Sequence, residues 1–304
     1  IEVSVPIVAS LFVQEDGGVP QQLADQLWLE TGRIPVIGMR PESKYKVWFE
    51  TTDGHSCDPM EFSTASLPAD LPLLSAEGTR SGSLTIFTIW RMNPFVDTEW
   101  SYLVVVDDSG HVVWYRKFET ALFALALRGR SILTSELTHG ILEIDALSGS
   151  SQSWDVSDLG VDSVHHEVMS LPDGGVAFLS SELRTVSGFE IPGIEGSLTH
   201  DIVGDVIVEM DAEGNVEWQW SVLDALNPVV YFTEAMYNSV FWALPPYESV
   251  EAMDWSHGNA LEKIDGDWLV SFRNIDLILR VDRDTSEVIW MLGPEGDLSL
   301  SAGS

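Results

Sequence analysis

Short runs in which apolar and polar residues alternate dominate this chain. Alternation with a period of two places one face of a strand in a core and the other face in solvent. Near the start of the chain such runs occur at residues 1–13, 26–30, 33–38, 45–51 and 60–64. The pattern therefore predicts strands, and an all-β fold.

A hairpin motif recurs in the rest of the chain. In each copy a strand ends at an Asp, a tight turn follows, and the returning strand carries a Trp. The four copies occupy residues 104–114, 142–154, 208–218 and 279–290. Repeats of about 40 to 50 residues with this chemistry are typical of propeller blades. We expect the Asp to stabilise the turn, the Trp to pack between blades, and long inserted loops at residues 183–205 and 223–253.

The first 67 residues are predicted to form a separate small β-sandwich. Their segment 36–64 resembles the G-L-x-P-x-T-x-Y-x-V pattern of fibronectin type III-like or Ig-like sandwiches. Pro68 and Pro72 deny donors to a ladder and predict an extended linker. Residues 68–304 are then a β-propeller. Because only four blade hairpins are recognisable, we expect this propeller to be incomplete at its C-terminus.

The net charge of the chain limits the classes of molecule that it can bind. The 304 residues include 48 acidic and 15 basic ones, which gives a formal net charge of −33. Nucleic acid is excluded as a partner, because phosphate binding needs clustered cations. No apolar run is long enough for a membrane-spanning helix. Cys57 is the single cysteine, so we expect no internal disulfide and no cysteine-based metal site. We further expect no metal and no cofactor.

Candidate chemistry is concentrated between residues 254 and 273. His257, Asn259 and Arg273 form a set of hydrogen-bond donors suited to an oxyanion. Asn259 is expected to point the same way as His257, since two residues separate them along a strand.

An upstream segment repeats part of this pattern. His165 precedes Asp173 by the same number of residues as His257 precedes Asp265. Both segments directly precede a blade hairpin, so their histidines are expected to converge on the propeller axis. Of His165 and His166, the register favours His165 as the one that faces the channel.

These motifs resemble those of the bacterial arylsulfate sulfotransferases that work without a nucleotide donor. The resemblance rests on D-W-S-H-G-N-A-L at 254–261, V-S-F-R-N at 270–274 and I-W-M-L-G-P-E-G-D at 289–297. It implies a six-bladed propeller behind a sandwich, and a periplasmic or extracellular location. It also implies an aryl sulfate donor and a phenolic acceptor. The residues that hold the sulfuryl group would be His257, Asn259, Arg273 and His165 or His166.

The resemblance further implies transfer through a sulfohistidine. In the family the nucleophilic histidine follows the L-G-P-x-G-D motif, whereas no histidine follows His257 here. The nucleophile is therefore expected beyond Ser304. Aromatic residues of the 223–253 insert and its flank either bind the aryl ring or pack the loop onto the propeller. The candidates are Tyr231, Phe232, Trp242 and Trp255.

Two other functional classes fit parts of the sequence. A quinoprotein-like propeller also repeats Asp and Trp in its blades, but the repeat here is loose and nothing marks a quinone or calcium site. A non-catalytic propeller that serves as a binding or assembly module fits the acidic surface and the missing histidine.

Overall fold

A computed structural model gives the fold of most of the chain. It describes residues 2–3, 7–29, 32–33, 36–77, 82–91, 100–136, 139–146, 148–190, 198–231, 236, 246–247, 249–294 and 296–298. The protein is all-β, because strands dominate and the two described helices have four residues each. It divides into two compact units, residues 1–119 and 120–304.

Unit 1 contains a four-stranded sheet, a three-stranded sheet and a two-stranded pair. Its strands are β1 (Glu2–Val3), β2 (Ile7–Glu15), β3 (Gln21–Leu29), β4 (Gly32–Arg33), β5 (Lys44–Thr51), β6 (Met60–Ser63), β7 (Thr85–Arg91), β8 (Trp100–Val106) and β9 (Val112–Phe118). The sheet orders are β3-β2-β5-β6, β7-β8-β9 and β1-β4. The predicted β-sandwich and the predicted boundary at residue 67 stay predictions.

Unit 2 contains three antiparallel meanders in succession. The first is β10 (Leu122–Arg128), β11 (Ser131–Glu136), β12 (Gly140–Asp145) and β13 (Ser151–Asp155). The second is β14 (His165–Ser170), β15 (Val176–Phe189), β16 (Leu198–Met210) and β17 (Val216–Ser221), with β18 (Met253–Asp254) added beside β16. The third is β19 (Gly258–Ile264), β20 (Asp267–Phe272), β21 (Leu277–Val281) and β22 (Val288–Leu292). Each meander has the strand order of a propeller blade.

The aspartates of the repeat stabilise turns, as predicted. Each carboxylate accepts backbone N–H groups from its own turn, and the distances are short. Asp211 accepts from Glu213 at 2.9 Å and from Asn215 at 2.8 Å. Asp107, Asp145 and Asp282 make the same kind of contact. Such Asx-type bonds explain why an Asp recurs where each strand ends.

Tryptophans of the last strands join neighbouring meanders. A Cβ atom on Gly214, in the β16–β17 turn, would lie 2.2 Å from the Trp154 indole nitrogen. Gly214 therefore lets Trp154 of β13 lie against that turn. In the next meander Trp220 donates its indole N–H to the Ser286 carbonyl oxygen at 3.1 Å. The predicted packing of a Trp between neighbouring meanders is thus present. In the third repeat, however, the bond is made by Trp220, whereas the repeat predicted Trp218.

The long insertion predicted at residues 183–205 is not a loop. In the described residues the β15 and β16 strands simply continue, with 14 and 13 residues, and pair from Val176 and Met210 out to Phe189 and Leu198. Alternating residues such as those around Thr185 and Asp201 suit an exposed two-stranded extension. The irregular spacing between repeats predicts an inserted loop here, but the spacing arises because the β15–β16 hairpin is longer than the others.

The first strands of the meanders position the site. β14 packs against both β10 and β19, so the start of the second meander lies next to the start of the third. The two helices, α1 (Val156–Leu159) and α2 (Val222–Ala225), follow the last strands of the first two meanders. Neither they nor any other helix in the described residues has the length and apolar character to cross a membrane.

Candidate active site

A short parallel strand fixes the segment that carries His257. Met253 and Asp254 of β18 pair with Ile202 and Val203 of β16. The chain then turns sharply, and His257 has a φ of 52° before β19 begins. A left-handed backbone is uncommon for a residue with a Cβ atom and tends to persist where surrounding contacts enforce it.

Contacts on both ring nitrogens define the His257 tautomer. Its Nδ1 donates to Oδ2 of Asp254, and both side chains are buried. Its Nε2 lies 3.3 Å from Nη1 of Arg273. A guanidinium only donates, so Nε2 must accept and the imidazole hydrogen resides on Nδ1. The Nε2 lone pair of His257 is thereby directed to the Arg273 side of the site.

Backbone and side-chain bonds attach Arg273 to the same segment. The Arg273 N–H donates to the His257 carbonyl oxygen at 3.0 Å. Next to it, Asn274 is buried and donates its side-chain N–H to the Asp254 carbonyl oxygen at 2.7 Å. The Arg273 side chain itself is exposed, and within the described ranges it makes no ion pair. Its remaining donors are therefore suited to bind an anion.

A second histidine and carboxylate lie across from this pair. His165, at the start of β14, is 1% exposed. Its Nε2 donates to the Ser180 carbonyl oxygen at 3.1 Å and lies 3.2 Å from Oδ1 of Asp205. Both side chains of this His–Asp pair are therefore shielded from solvent.

Asp205 joins the second meander to the His257 segment. Its Oδ2 accepts hydrogen bonds from the Ser256 hydroxyl and, at 2.7 Å, from the Gly258 N–H. A Cβ atom on Gly258 would lie 2.8 Å from Oδ1 of the same carboxylate. Glycine at 258 is therefore required for the backbone to approach Asp205. One buried carboxylate thus holds the start of β19 against His165.

His166 occupies the space between the two pairs. Its Nδ1 lies 3.0 Å from Nδ1 of His165, and its ring centroid lies 5.1 Å from that of His257. Burial, followed by the neighbouring His165 and His257, lowers the pKa of His166 from 6.5 to about 3. His166 is therefore neutral at physiological pH, and it does not supply a positive charge to the site.

The predicted histidines and the arginine are brought together. The register argument that favoured His165 is corrected, because His165 is enclosed while His166 contacts His257. His166 also shares the 52° φ of His257, so it is the backbone counterpart of His257. A bulge lies between His165 and Val168, where three steps along β14 correspond to one step along β15, so His166 and Glu167 are extra residues in the pairing.

Asn259 lies close to this group in sequence but is not joined to it. It is the extra residue of a bulge between Gly258 and Ala260 in β19, and its side chain is half-buried. None of the hydrogen bonds resolved for the described residues involves its amide group. Its predicted orientation beside His257 stays a prediction.

The structure describes two of the four aromatic candidates for binding the aryl ring. Trp255 is 0% exposed and belongs to the hydrophobic core, so the expectation that it binds substrate is corrected. Tyr231 is half-buried and packs against the same core. Phe232 and Trp242 lie outside the described residues.

Three residues of the site were missed by sequence reasoning. Asp205, Ser256 and Asn274 are all buried and polar, and each makes hydrogen bonds that hold a histidine segment in place. The one signal in the sequence is an Asp inside the otherwise apolar run 202–208. Buried carboxylates are rare unless they are paired, so an Asp at this position indicates a buried hydrogen-bond or ion-pair partner.

Chemically, the arrangement combines an exposed guanidinium, three imidazoles and two buried carboxylates. It suits anion binding and proton transfer. Among the described residues no group of three or more His, Cys, Asp or Glu side chains has the geometry of a metal site.

Comparison with known proteins gives one family match. The family described as Arylsulfotransferase (ASST) matches residues 74–303. A comparison with curated proteins found no match.

Two solved structures are distantly similar. A europium-containing methanol dehydrogenase is 14% identical, with a TM-score of 0.33, over 72% of this chain and 43% of that one. AztD of Citrobacter koseri is 11% identical, with a TM-score of 0.27, over 94% and 95% of the two chains. The chain thus spans less than half the length of the dehydrogenase, and similarities this weak do not bear on function.

Proposed function

This chain belongs to the arylsulfotransferase (ASST) family, and from that premise we propose that it moves a sulfuryl group from an aryl sulfate to a phenol. We place the reaction at the cluster of His166, His257 and Arg273. The observation that carries this proposal is the contact between the Arg273 guanidinium, which has no ion-pair partner among the described residues, and a histidine whose other nitrogen is held by a buried carboxylate.

The charge distribution suits sulfuryl transfer. Displacement at sulfur parallels displacement at phosphorus, where charge spreads over the non-bridging oxygens and catalysis depends on positioning and charge stabilisation. Arg273 presents its remaining N–H donors to those oxygens, in the fork geometry that favours bidentate contacts. Asn259 is assigned a supporting role in orienting the same group.

The transfer is proposed to take two steps through a sulfohistidine. In the first step an imidazole nitrogen forms a bond to sulfur while the sulfur–oxygen bond to the aryl group breaks, and the electron pair leaves with the phenolate. In the second step the acceptor oxygen bonds to sulfur, the nitrogen–sulfur bond breaks, and the acceptor's proton passes to a base. Such a scheme gives ping-pong kinetics.

The remaining features of the proposal concern architecture and location. We propose that the meanders are part of a six-bladed propeller preceded by a fibronectin-like or Ig-like sandwich. We propose a periplasmic or extracellular location, with which the net charge of −33 is compatible.

A chromogenic donor tests the function directly. With 4-nitrophenyl sulfate as donor, release of 4-nitrophenol should depend on an added phenol, and the sulfated phenol should be detected by mass spectrometry. Brief incubation with donor alone should add one sulfuryl group to a histidine. A folded protein that binds the donor without turning it over would instead favour a binding module.

A further inference from the structure

We propose that Asp205 and His165 are positioning residues that make His166 the proton acceptor for the phenol. This inference rests on the proposed sulfuryl transfer. It assigns the proton to a definite atom, Nε2 of His166. It also gives the Asp205 carboxylate a role, although His165 and His166 lie between that carboxylate and the substrate.

The chain of bonds starts at a backbone carbonyl. The Ser180 carbonyl oxygen only accepts, so the Nε2 of His165, at 3.1 Å, carries a hydrogen. Oδ1 of Asp205 lies 3.2 Å from the same nitrogen. His165 is 1% exposed. The Asp205 carboxylate also accepts hydrogen bonds from the Ser256 hydroxyl and the Gly258 N–H. With its ring hydrogen on Nε2, His165 has its lone pair on Nδ1.

The second bond fixes the tautomer of His166. Its Nδ1 lies 3.0 Å from Nδ1 of His165, a distance at which one of the two nitrogens donates to the other. Since His165 supplies the lone pair, His166 supplies the hydrogen. A neutral His166 with its hydrogen on Nδ1 has its lone pair on Nε2. That nitrogen is unprotonated at neutral pH and presents its lone pair.

Charged and titratable groups around His166 agree with this state. His165 and His257 face it from β14 and from the segment before β19, and both lower its pKa, as burial does. The carboxylates of Asp205 and Asp254 act in the opposite direction. The guanidinium of Arg273 contacts His257, and Glu167 follows His166 in the chain.

The same bonds explain where the accepted proton goes. When the phenol oxygen attacks sulfur, its hydrogen moves to Nε2 of His166. The hydrogen on Nδ1 of His166 then moves to Nδ1 of His165, so the positive charge lies on His165 beside the Asp205 carboxylate. His166 ends neutral with its hydrogen on Nε2. A buried carboxylate thus stabilises the imidazolium, as an Asp does behind a catalytic histidine in other enzymes.

Nitrogen NMR of the intact protein tests the resting state without any sulfate chemistry. With ¹⁵N-labelled histidine, His166 should show a protonated Nδ1 and an unprotonated Nε2 at about pH 7. His166→Gln identifies the resonances. A hydrogen on Nε2 of His166 at rest would overturn the proposal, whether or not the protein transfers sulfate.

Substitution of Asp205 tests its role. Asp205→Asn should lower kcat roughly 100-fold, with little change in KM, because the charge that stabilises the accepted proton is lost. The histidine pair should also take up its proton at a lower pH in the NMR titration. Asp201→Asn, on the same strand and bonded to Thr185, is the matched control and should keep wild-type kcat.

Ser256→Ala separates positioning from mere structural support. It removes one hydrogen bond to Asp205 but leaves the carboxylate charge next to His165. A far smaller loss of kcat than in Asp205→Asn is expected. Equal losses in the two variants, or an Asp205→Asn protein within about threefold of wild type, would overturn the proposal. If Asp205→Asn does not fold, the wild-type spectrum still decides.

Discussion

Two His–Asp pairs on neighbouring meanders differ in what their second nitrogen meets. In His165–Asp205 both side chains are almost completely buried, and the other ring nitrogen contacts a histidine. In His257–Asp254 the pair is also buried, but the other ring nitrogen contacts the exposed Arg273. The His165–Asp205 pair thus contacts the neutral imidazole of His166, and the His257–Asp254 pair contacts the guanidinium of Arg273.

We infer from this difference that the two His–Asp pairs serve different chemical roles. A neutral imidazole carries no positive charge, whereas a guanidinium is always a cation that can bind the sulfuryl oxygens. A guanidinium has no lone pair for a proton, whereas neutral His166 has one. The two segments therefore differ in their partners although they share the same left-handed backbone at His166 and His257.

Removal of the cation should have the largest effect on the comparison. Arg273→Ala should lower kcat/KM for an aryl sulfate by roughly two to three orders of magnitude, because donors to the developing charge are lost. Steady-state kinetics measure this loss. Arg280→Ala is the matched control, since Arg280 is on the same meander and is ion-paired with Asp267. Near wild-type turnover in a folded Arg273→Ala protein would remove Arg273 from the site.

Weakening of the second pair should have a smaller effect. Asp254→Asn retains shape but removes the carboxylate that holds the hydrogen on Nδ1 of His257. We expect a loss of about 10- to 100-fold in kcat, since Asn274 still anchors the segment through the Asp254 backbone. The His257 resonances should also show mixed tautomers. A single, unchanged tautomer with unchanged kcat would mean that the two pairs are not comparable.

The pH dependence of stability should show the smallest effect. His166 has a pKa of about 3 when folded and about 6.5 when unfolded. Below pH 6.5 the unfolded chain gains a proton that the folded protein does not, so the free energy of unfolding falls as the pH falls towards 3. The slope from this group is at most about 1.4 kcal/mol per pH unit.

Urea denaturation between about pH 7 and pH 5 measures that slope, before most carboxylates titrate. His166→Asn should reduce the slope, whereas His55→Asn, at a highly exposed position, should leave it unchanged. Equal slopes in wild type and His166→Asn would show that His166 does not resist protonation in the folded state.

Much of the fold was predictable from local chemistry. Asp107, Asp211 and Asp282 mark turns because a carboxylate bonds to nearby N–H groups regardless of what surrounds the hairpin. Strand alternation likewise depends on the residues themselves. The β15–β16 extension was not predictable, because the same alternation suits an exposed hairpin or a loop, and only pairing distinguishes them.

The site was predictable as a set of residues but not as a set of contacts. Motifs identified His257, Arg273 and the His165–His166 pair. His166, the member of that pair that contacts His257, lies in a bulge that adds two residues to β14, and nothing in the sequence signals this bulge.

The all-β character, the turn aspartates and the residue types of the candidate site could be read from the amino-acid order, because they follow from alternation, turn chemistry and the donors each side chain carries. Which atoms contact one another depends on how the strands pack. Asp205 is distant in sequence from His165, Ser256 and Gly258, yet β16 brings its carboxylate to all three. Hydrogen bonds act over about 3 Å, so the tautomers of the histidines depend on this packing.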